Sequence, residues 1–268
     1  MWLADYLDLL GLEREPPTLD YLKRLTRAHV ERVPFENITS ILRRAAAGSA
    51  PVPPLDRDTE LGAWRDLRGG GLCFEVTDMF GTLLASLGFQ AHPVIAEIRF
   101  PGAHQAVVVQ IVGRRYLVDA GNGAPFFEPI PVSDDDPALE LGCAGLSYRF
   151  HRDSSDAWVQ DRWIEQKWQP FCTYLLAPAA QPAREAAYQR HHTLGQSWVV
   201  DRLTLIRCTE SEVWTLRDSS LTHFTASGKS VSSCESTADF HRAAAEVFNL
   251  PNAPIARALE VLGRPVTL

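Results

Sequence analysis

The hydrophobic period of this chain changes from helical to strand-like near residue 90, and few folds accommodate both patterns. Before that point apolar residues recur at helical spacing. Leu3, Tyr6, Leu9 and Leu10 form one stripe; Tyr21, Leu22, Leu25, Ala28 and His29 form a second behind a candidate N-cap at Thr18. Phe74, Met79, Phe80, Leu83, Leu84 and Leu87 predict a buried helix that stops at Gly88. Beyond it the pattern becomes strand-like: Val94, Ala96, Ile98 and Phe100 alternate, residues 104–112 are β-branched, and Gly113-Arg114 reads as the turn of a hairpin into residues 116–119. Further strand patterns cover 146–151, 158–168, 197–207, 213–216 and 221–226, and helical periodicity returns at 237–248 and 255–262. Helices, then strands, then a mixed tail predict an α+β chain. Its expected parts are an N-terminal helical bundle (1–88), an antiparallel β-barrel (89–190) and a C-terminal mixed α/β lid (191–268).

Charge and composition exclude several functions. The 26 Lys+Arg against 33 Asp+Glu give a formal charge of −7, the wrong sign for tracking phosphates, so no nucleic-acid partner is expected. A 46% hydrophobic share is too high for a disordered chain. No apolar run reaches the roughly 18 residues that span a bilayer, so no membrane partner is expected. The first residues carry Asp5, Asp8 and Glu13 without a basic leader, and the five cysteines include no Cys-x-x-Cys spacing. Both features point to the cytoplasm.

The chemistry concentrates at three places. Cys73 follows Gly69-Gly70-Gly71-Leu72 and opens the buried helix. Glycines let a chain turn sharply and present the next side chain at a cleft. The start of a helix offers free N–H groups and partial positive charge that favour a thiolate and can receive an oxyanion. A small buried hydrophobe is the competing reading of Cys73, and the local pattern leaves both open. A thiol nucleophile needs a base and the base an orienter. His104 opens the β-branched strand after Pro101-Gly102, and Asp119 closes the next one, so the hairpin brings both to the same end. Alone, His104 reads as an edge-strand histidine and Asp119 as a turn-initiating residue. Placed together with Cys73 they read as a triad on a cysteine-protease or transglutaminase-like catalytic core.

Other signals carry less. No Gly-x-x-x-x-Gly-Lys loop or Gly-x-Ser-x-Gly elbow is present, and Gly121-Asn122-Gly123 lacks a third glycine. His191-His192 and Asp134-Asp135-Asp136 read as solvated loops, so no metal is expected. Trp158, Trp163 and Trp168 read as core and barrel packing, and Cys143, Cys172, Cys208 and Cys234 as inert.

Three motifs in order make the chain resemble the arylamine N-acetyltransferase family. They are Val33-Pro34-Phe35-Glu36-Asn37, then Arg68-Gly69-Gly70-Gly71-Leu72-Cys73-Phe74-Glu75, then Asp119-Ala120-Gly121-Asn122-Gly123. The glycine loop has one residue more than the family's shortest Arg-Gly-Gly-x-Cys form, and Asn122 stands where the family often has Phe. The resemblance implies ping-pong acyl transfer with acetyl-CoA as cosubstrate. Cys73 would take the acetyl group, His104 would shuttle protons and Asp119 would hold the imidazolium. A small-molecule arylamine, hydrazine or arylhydroxylamine would be the acceptor. It further implies Phe35 and Asn122 at the amine, Gly102 and Gly123 at the acyl-CoA donor, and an Arg68–Glu36 ion pair pinning the glycine loop. An amide synthase of specialised metabolism, using a larger acyl-CoA or a carrier-protein thioester, is the alternative on the same scaffold. A hydrolase sharing the triad and a binding module that has no catalysis complete the field.

Overall fold

Side-chain caps start two of the N-terminal helices, at Thr18 as the sequence predicts and at Asp56 for a helix it did not show. The computed structural model describes residues 2–153, 157–193, 195–197 and 199–263. Thr18 accepts from the Tyr21 N–H at 3.2 Å and opens α2 (Leu19–Arg32); Asp56 accepts from the Thr59 N–H at 2.8 Å and opens α4 (Arg57–Leu67). With α1 (Trp2–Leu10) and α5 (Cys73–Ser86) these form a helical layer around Tyr6, Leu22, Leu25, Trp64, Met79 and Leu84. Inside it Tyr6 O–H and His29 Nε2 share a hydrogen bond of 2.8 Å, and burial drives the His29 imidazole down to about 3. After β1 (Phe35–Glu36), α3 (Ile38–Ala47) turns away from this layer and packs Ile38 and Ile41 into the C-terminal core.

Eight strands make the second layer: β2 (Gln90–Ile98), β3 (Phe100–Ile111), β4 (Arg114–Val118), β5 (Ile130–Pro131), β6 (Leu139–Cys143), β7 (Leu146–Arg152), β8 (Trp158–Ile164) and β9 (Lys167–Leu175). They pair antiparallel in the order β5-β4-β3-β2-β9-β8-β7-β6 and curl into a nearly closed barrel. Ala106–Val109 of β3 read as an unbroken apolar run because both faces are covered. Val107 and Val109 meet the helical core while Ala106 and Val108 fill the barrel. Ile111 pairs with Arg114, so the hairpin loop is Val112-Gly113, one residue before the expected turn. Both residues have positive φ (47° and 77°), as the twist of a two-residue hairpin requires. The tryptophan spacing is likewise a hairpin and not a core stripe. Trp158 is buried, but Trp163 pairs with Trp168 across β8 and β9 and is 47% exposed.

The C-terminal part is a five-stranded antiparallel sheet in the order β1-β10-β11-β12-β13, with β10 (Thr204–Cys208), β11 (Glu212–Arg217), β12 (Ser220–Thr225) and β13 (Gly228–Ser233). Of the strand expected over 197–207 only the segment from Thr204 forms, and Trp198 lies outside the described residues. α6 (Gln181–His191) lies against β3. α7 (Thr237–Arg242) continues as a π-helical turn over Ala243–Val247 and is followed by α8 (Ile255–Val261). Among the described residues, no helix is long and apolar enough to cross a membrane.

Candidate active site

Cys73 is the first residue of α5, with Leu72 as an N-cap whose side chain makes no cap hydrogen bond. The first N–H groups of a helix have no partner within it, so this end is free to receive negative charge. Two chain segments fix the cysteine there. Gly71 bridges Phe35 of β1. Gly121 lies so close that a Cβ on it would sit 2.8 Å from Cys73 Cα. Cys73 itself is only 6% exposed.

β3 and the end of β4 supply the partners. His104 Nε2 lies 2.8 Å and 2.9 Å from the two Asp119 oxygens, and both side chains are buried. With Nε2 committed to the carboxylate, Nδ1 is the nitrogen left for sulfur. Burial alone would strip His104 of its proton. The Asp119 charge, the Cys73 charge and hydrogen bonds to both outweigh it and raise the imidazole to about 10. An imidazolium held between a carboxylate and a sulfur is placed to exchange a proton with a group reacting at that sulfur.

A second ring of polar groups holds Asp119, and the sequence reading did not find it. Tyr174 O–H donates to Asp119 Oδ2 at 2.6 Å and Asn122 Nδ2 donates to the same oxygen at 2.8 Å. Asn122 Nδ2 also reaches Gln160 Oε1 at 3.2 Å, while Asn122 Oδ1 accepts from Arg162 Nη2 at 3.3 Å. Asn122, expected to touch the amine, is therefore spent on the carboxylate: its amide is the right length to bridge Asp119 and Gln160. Strand register explains Tyr174. It pairs with Ala96, which pairs with His104 on its other side, so the three side chains form one cross-strand row. Alanine in the middle leaves room for the two rings to meet over Asp119.

The nucleophile helix is also tied from behind. Gln105, next to His104, donates from Nε2 to the Phe74 carbonyl at 3.0 Å, and Thr77 Oγ1 donates to the Gln105 carbonyl at 3.0 Å. Glu75 is buried and takes Arg43 Nη1 at 2.8 Å and Ser40 Oγ at 3.0 Å, with His192 Nε2 at 3.2 Å. Burial works against its charge, yet His192 and Arg43 hold the carboxyl at about 2. Arg43 pairs with Glu60 as well, so α3, α4 and α5 meet on one guanidinium. The two adjacent histidines serve different partners: His191 Nδ1 shares a hydrogen bond with Ser197 Oγ at 2.9 Å, and His192 Nδ1 donates to the Tyr188 carbonyl at 2.9 Å.

The expected Arg68–Glu36 pair does not form. Glu36 is buried and caps α3, accepting from the Thr39 N–H at 3.1 Å and Thr39 Oγ1 at 2.6 Å. Burial raises its carboxyl. Arg68 sits at the left-handed end of α4 (φ 51°), exposed, and Nη1 donates to Asn249 Oδ1 at 3.0 Å. The extra residue of the glycine loop sets Arg68 one position further from Cys73, and its side chain leaves on the other side. Of the remaining residues, Phe35 and Gly123 come together against Ile206, whereas Gly102 adjoins Ala187 of α6, which packs in one buried cluster with Cys73 and Phe74. Cys172 and Cys208 are deeply buried, and burial pushes the Cys208 thiol up to about 12.

The chain is similar to known proteins in both sequence and fold. Residues 18–253 match the family model described as N-acetyltransferase. The chain is 28% identical over 238 residues to the arylamine N-acetyltransferase of Mycolicibacterium smegmatis, covering 82% of each chain. It is 27% identical over 182 residues to the proansamycin X synthase of Amycolatopsis mediterranei, covering 65% of this chain and 67% of that one. The structure of Mycobacterium marinum arylamine N-acetyltransferase in complex with CoA superposes with a TM-score of 0.82 at 22% identity, over 97% of this chain and 98% of the other.

Proposed function

From its place in the arylamine N-acetyltransferase family, to which this chain belongs, we infer that it carries an acetyl group from acetyl-CoA to an arylamine through a thioester on Cys73. The observation that carries the reading is the buried row Cys73, His104 and Asp119, with His104 Nε2 on the carboxylate and its charge favoured by both neighbours.

In the first half-reaction Cys73 Sγ attacks the thioester carbon of acetyl-CoA. The oxyanion that forms meets the free N–H groups at the start of α5. Collapse breaks the carbon–sulfur bond to CoA, and the departing thiolate takes the proton of His104. One thioester replaces another, so the step is nearly balanced in energy and the acyl group keeps its reactivity. In the second half-reaction the amine nitrogen attacks the acetyl-cysteine carbon, and His104, now neutral, accepts the proton that the nitrogen sheds. The amide leaves and Cys73 and His104 return to their charged pair. Asp119 changes neither charge nor position; it keeps Nε2 engaged so that Nδ1 faces the reacting atoms.

Phe35 and Gly123, brought together against Ile206, form one wall beside the Cys73 loop, and an aryl ring fits such a wall better than a charged group does. Gly102 adjoins Ala187, which packs with Cys73 and Phe74, and so borders the Cys73 site from another side.

Intact-protein mass after brief exposure to acetyl-CoA tests the thioester. One acetyl group on the wild type and none on Cys73→Ala supports it, and release of that group by an aniline or hydrazide completes the cycle. An unmodified wild type with a reduced thiol overturns acetyl-CoA as donor. Longer acyl thioesters then separate the amide-synthase alternative.

A further inference from the structure

Arg68, displaced from the partner the sequence led one to expect, enters a second cavity. Arg32 at the end of α2, Arg65 in α4, Arg68 after it and Arg207 on β10 line one space of about 450 Å³. This space lies on the far face of the five-stranded sheet from Cys73. Ile206 faces Phe35 and Gly123, and successive side chains of a strand point to opposite faces, so Arg207 points away from them toward Val247.

The guanidiniums are oriented but not neutralised. Arg32 donates to the Leu9 carbonyl at 3.4 Å, Arg68 to Asn249 Oδ1 at 3.0 Å and Arg207 to the Val247 carbonyl at 2.9 Å. Among the described residues, Arg65 alone of the four has a carboxylate within reach, Asp5 at 3.4 Å. A carbonyl fixes the fork of an arginine without cancelling its charge, which leaves the remaining N–H groups for an anion. Two carboxylates, Asp8 and Glu31, also line the space, so four positive charges face two negative ones. Arg68 is held here with φ 51°, a conformation few side chains adopt without compensation.

We propose that this cavity is a second anion site, separate from the Cys73 cleft, that takes a small ligand carrying a diphosphate group. Four arginines from three chain segments, the end of α2, the end of α4 and β10, line a space of that size, and two adjacent phosphoryl groups offer enough oxygens to engage them in pairs. A single phosphate engages fewer of them and binds more weakly.

Calorimetric titration of the whole chain with inorganic pyrophosphate at low salt tests the proposal. The expected result is saturable binding of one anion, weakened by added salt. Loss of one charged hydrogen bond predicts binding about tenfold weaker in Arg68→Gln and in Arg207→Gln. Glu31→Gln removes a repelling charge and is expected to bind more tightly, a gain that misfolding cannot produce. Titration in the presence of saturating CoA is expected to give the same affinity. Absence of saturable binding, equal binding by wild type and Arg68→Gln, or displacement of pyrophosphate by CoA each overturns a separate site. None of these readings requires acetyl transfer, so this proposal and the thioester mechanism stand or fall independently.

Discussion

Gln105 Nε2 donates to the carbonyl oxygen of Phe74 at 3.0 Å, so the residue beside the candidate base holds the residue beside the candidate nucleophile. The distance between sulfur and imidazole is thereby set by a side chain that takes no part in the chemistry. Gln105→Leu keeps the volume and removes the tie. It is expected to slow acetylation of Cys73 about tenfold or more, because misplacement by a fraction of an ångström is costly in a preorganised site. Rapid-quench mass measurement of the acetyl-enzyme checks this, with near-ultraviolet circular dichroism to show that the fold persists.

Tyr174→Phe removes one of the donors on Asp119 Oδ2 and leaves Tyr174's place apolar. A buried carboxylate oxygen that loses a partner costs about 1–3 kcal/mol. Part of that cost is expected in stability, as a lowered urea midpoint, and part as a fall in the acetylation rate while acetyl-CoA affinity holds. A variant with unchanged rate and unchanged midpoint would show that Asn122 alone suffices to hold the carboxylate.

The proton inventory predicts how stability depends on pH. His104 rises in the folded chain from 6.5 to about 10, so the folded state binds the extra proton between these values. Its contribution is complete below 6.5 and is lost as pH climbs toward 10. His29 falls from 6.5 to about 3 and Glu75 from 4.5 to about 2, so the unfolded chain binds more protons on the acid side. Their contributions are complete above 6.5 and 4.5 respectively and are lost as pH falls toward 3 and 2. Urea midpoints are therefore expected to decline on both sides of neutrality. His104→Gln should flatten the alkaline limb and leave the acid limb unchanged.

How much of this was legible in the sequence follows from the range of the signals. Cys73, His104 and Asp119 sit at local landmarks, a glycine loop and the open end of one hairpin; short-range pattern brings the last two together, and the chemistry a thiol needs joins the first to them. Tyr174 and Gln160 lie beyond that reach, because they arrive through β9 and β8, and β9 pairs with β2 across nearly eighty residues of chain, as in Ala96 with Tyr174. Asn122 was seen, but its bond to Asp119 was not, since nothing local tells an amide facing a ligand from one facing a carboxylate. α6 escaped notice because it buries only Ala187 and His191, too narrow a stripe to show as a period. β13 escaped because all six of its residues are exposed and none alternates.

The glycine loop gives the last prediction, because its neighbours differ sharply in the space around them. A Cβ on Gly69 would have nothing nearer than 3.8 Å, and its φ is not in the left-handed region. Gly69→Ala is therefore expected to leave both activity and stability near wild type. A Cβ on Gly70 would lie 1.8 Å from the Pro34 carbonyl oxygen, and one on Gly121 would lie 2.8 Å from Cys73 Cα and 3.2 Å from its carbonyl. In both cases the obstacle is backbone and cannot swing aside. Gly70→Ala must push the loop off Pro34, and overpacking of this kind costs about 1–3 kcal/mol or more. Gly121→Ala acts at the nucleophile itself. It separates the Asp119 loop from α5, so acetylation of Cys73 is expected to fall further than the loss of stability accounts for. Thermal melts and acetyl-enzyme formation measured on the three alanine variants separate the cases. Equal behaviour of Gly69→Ala and Gly121→Ala would mean that the two motifs do not make the close backbone contact on which the site geometry depends.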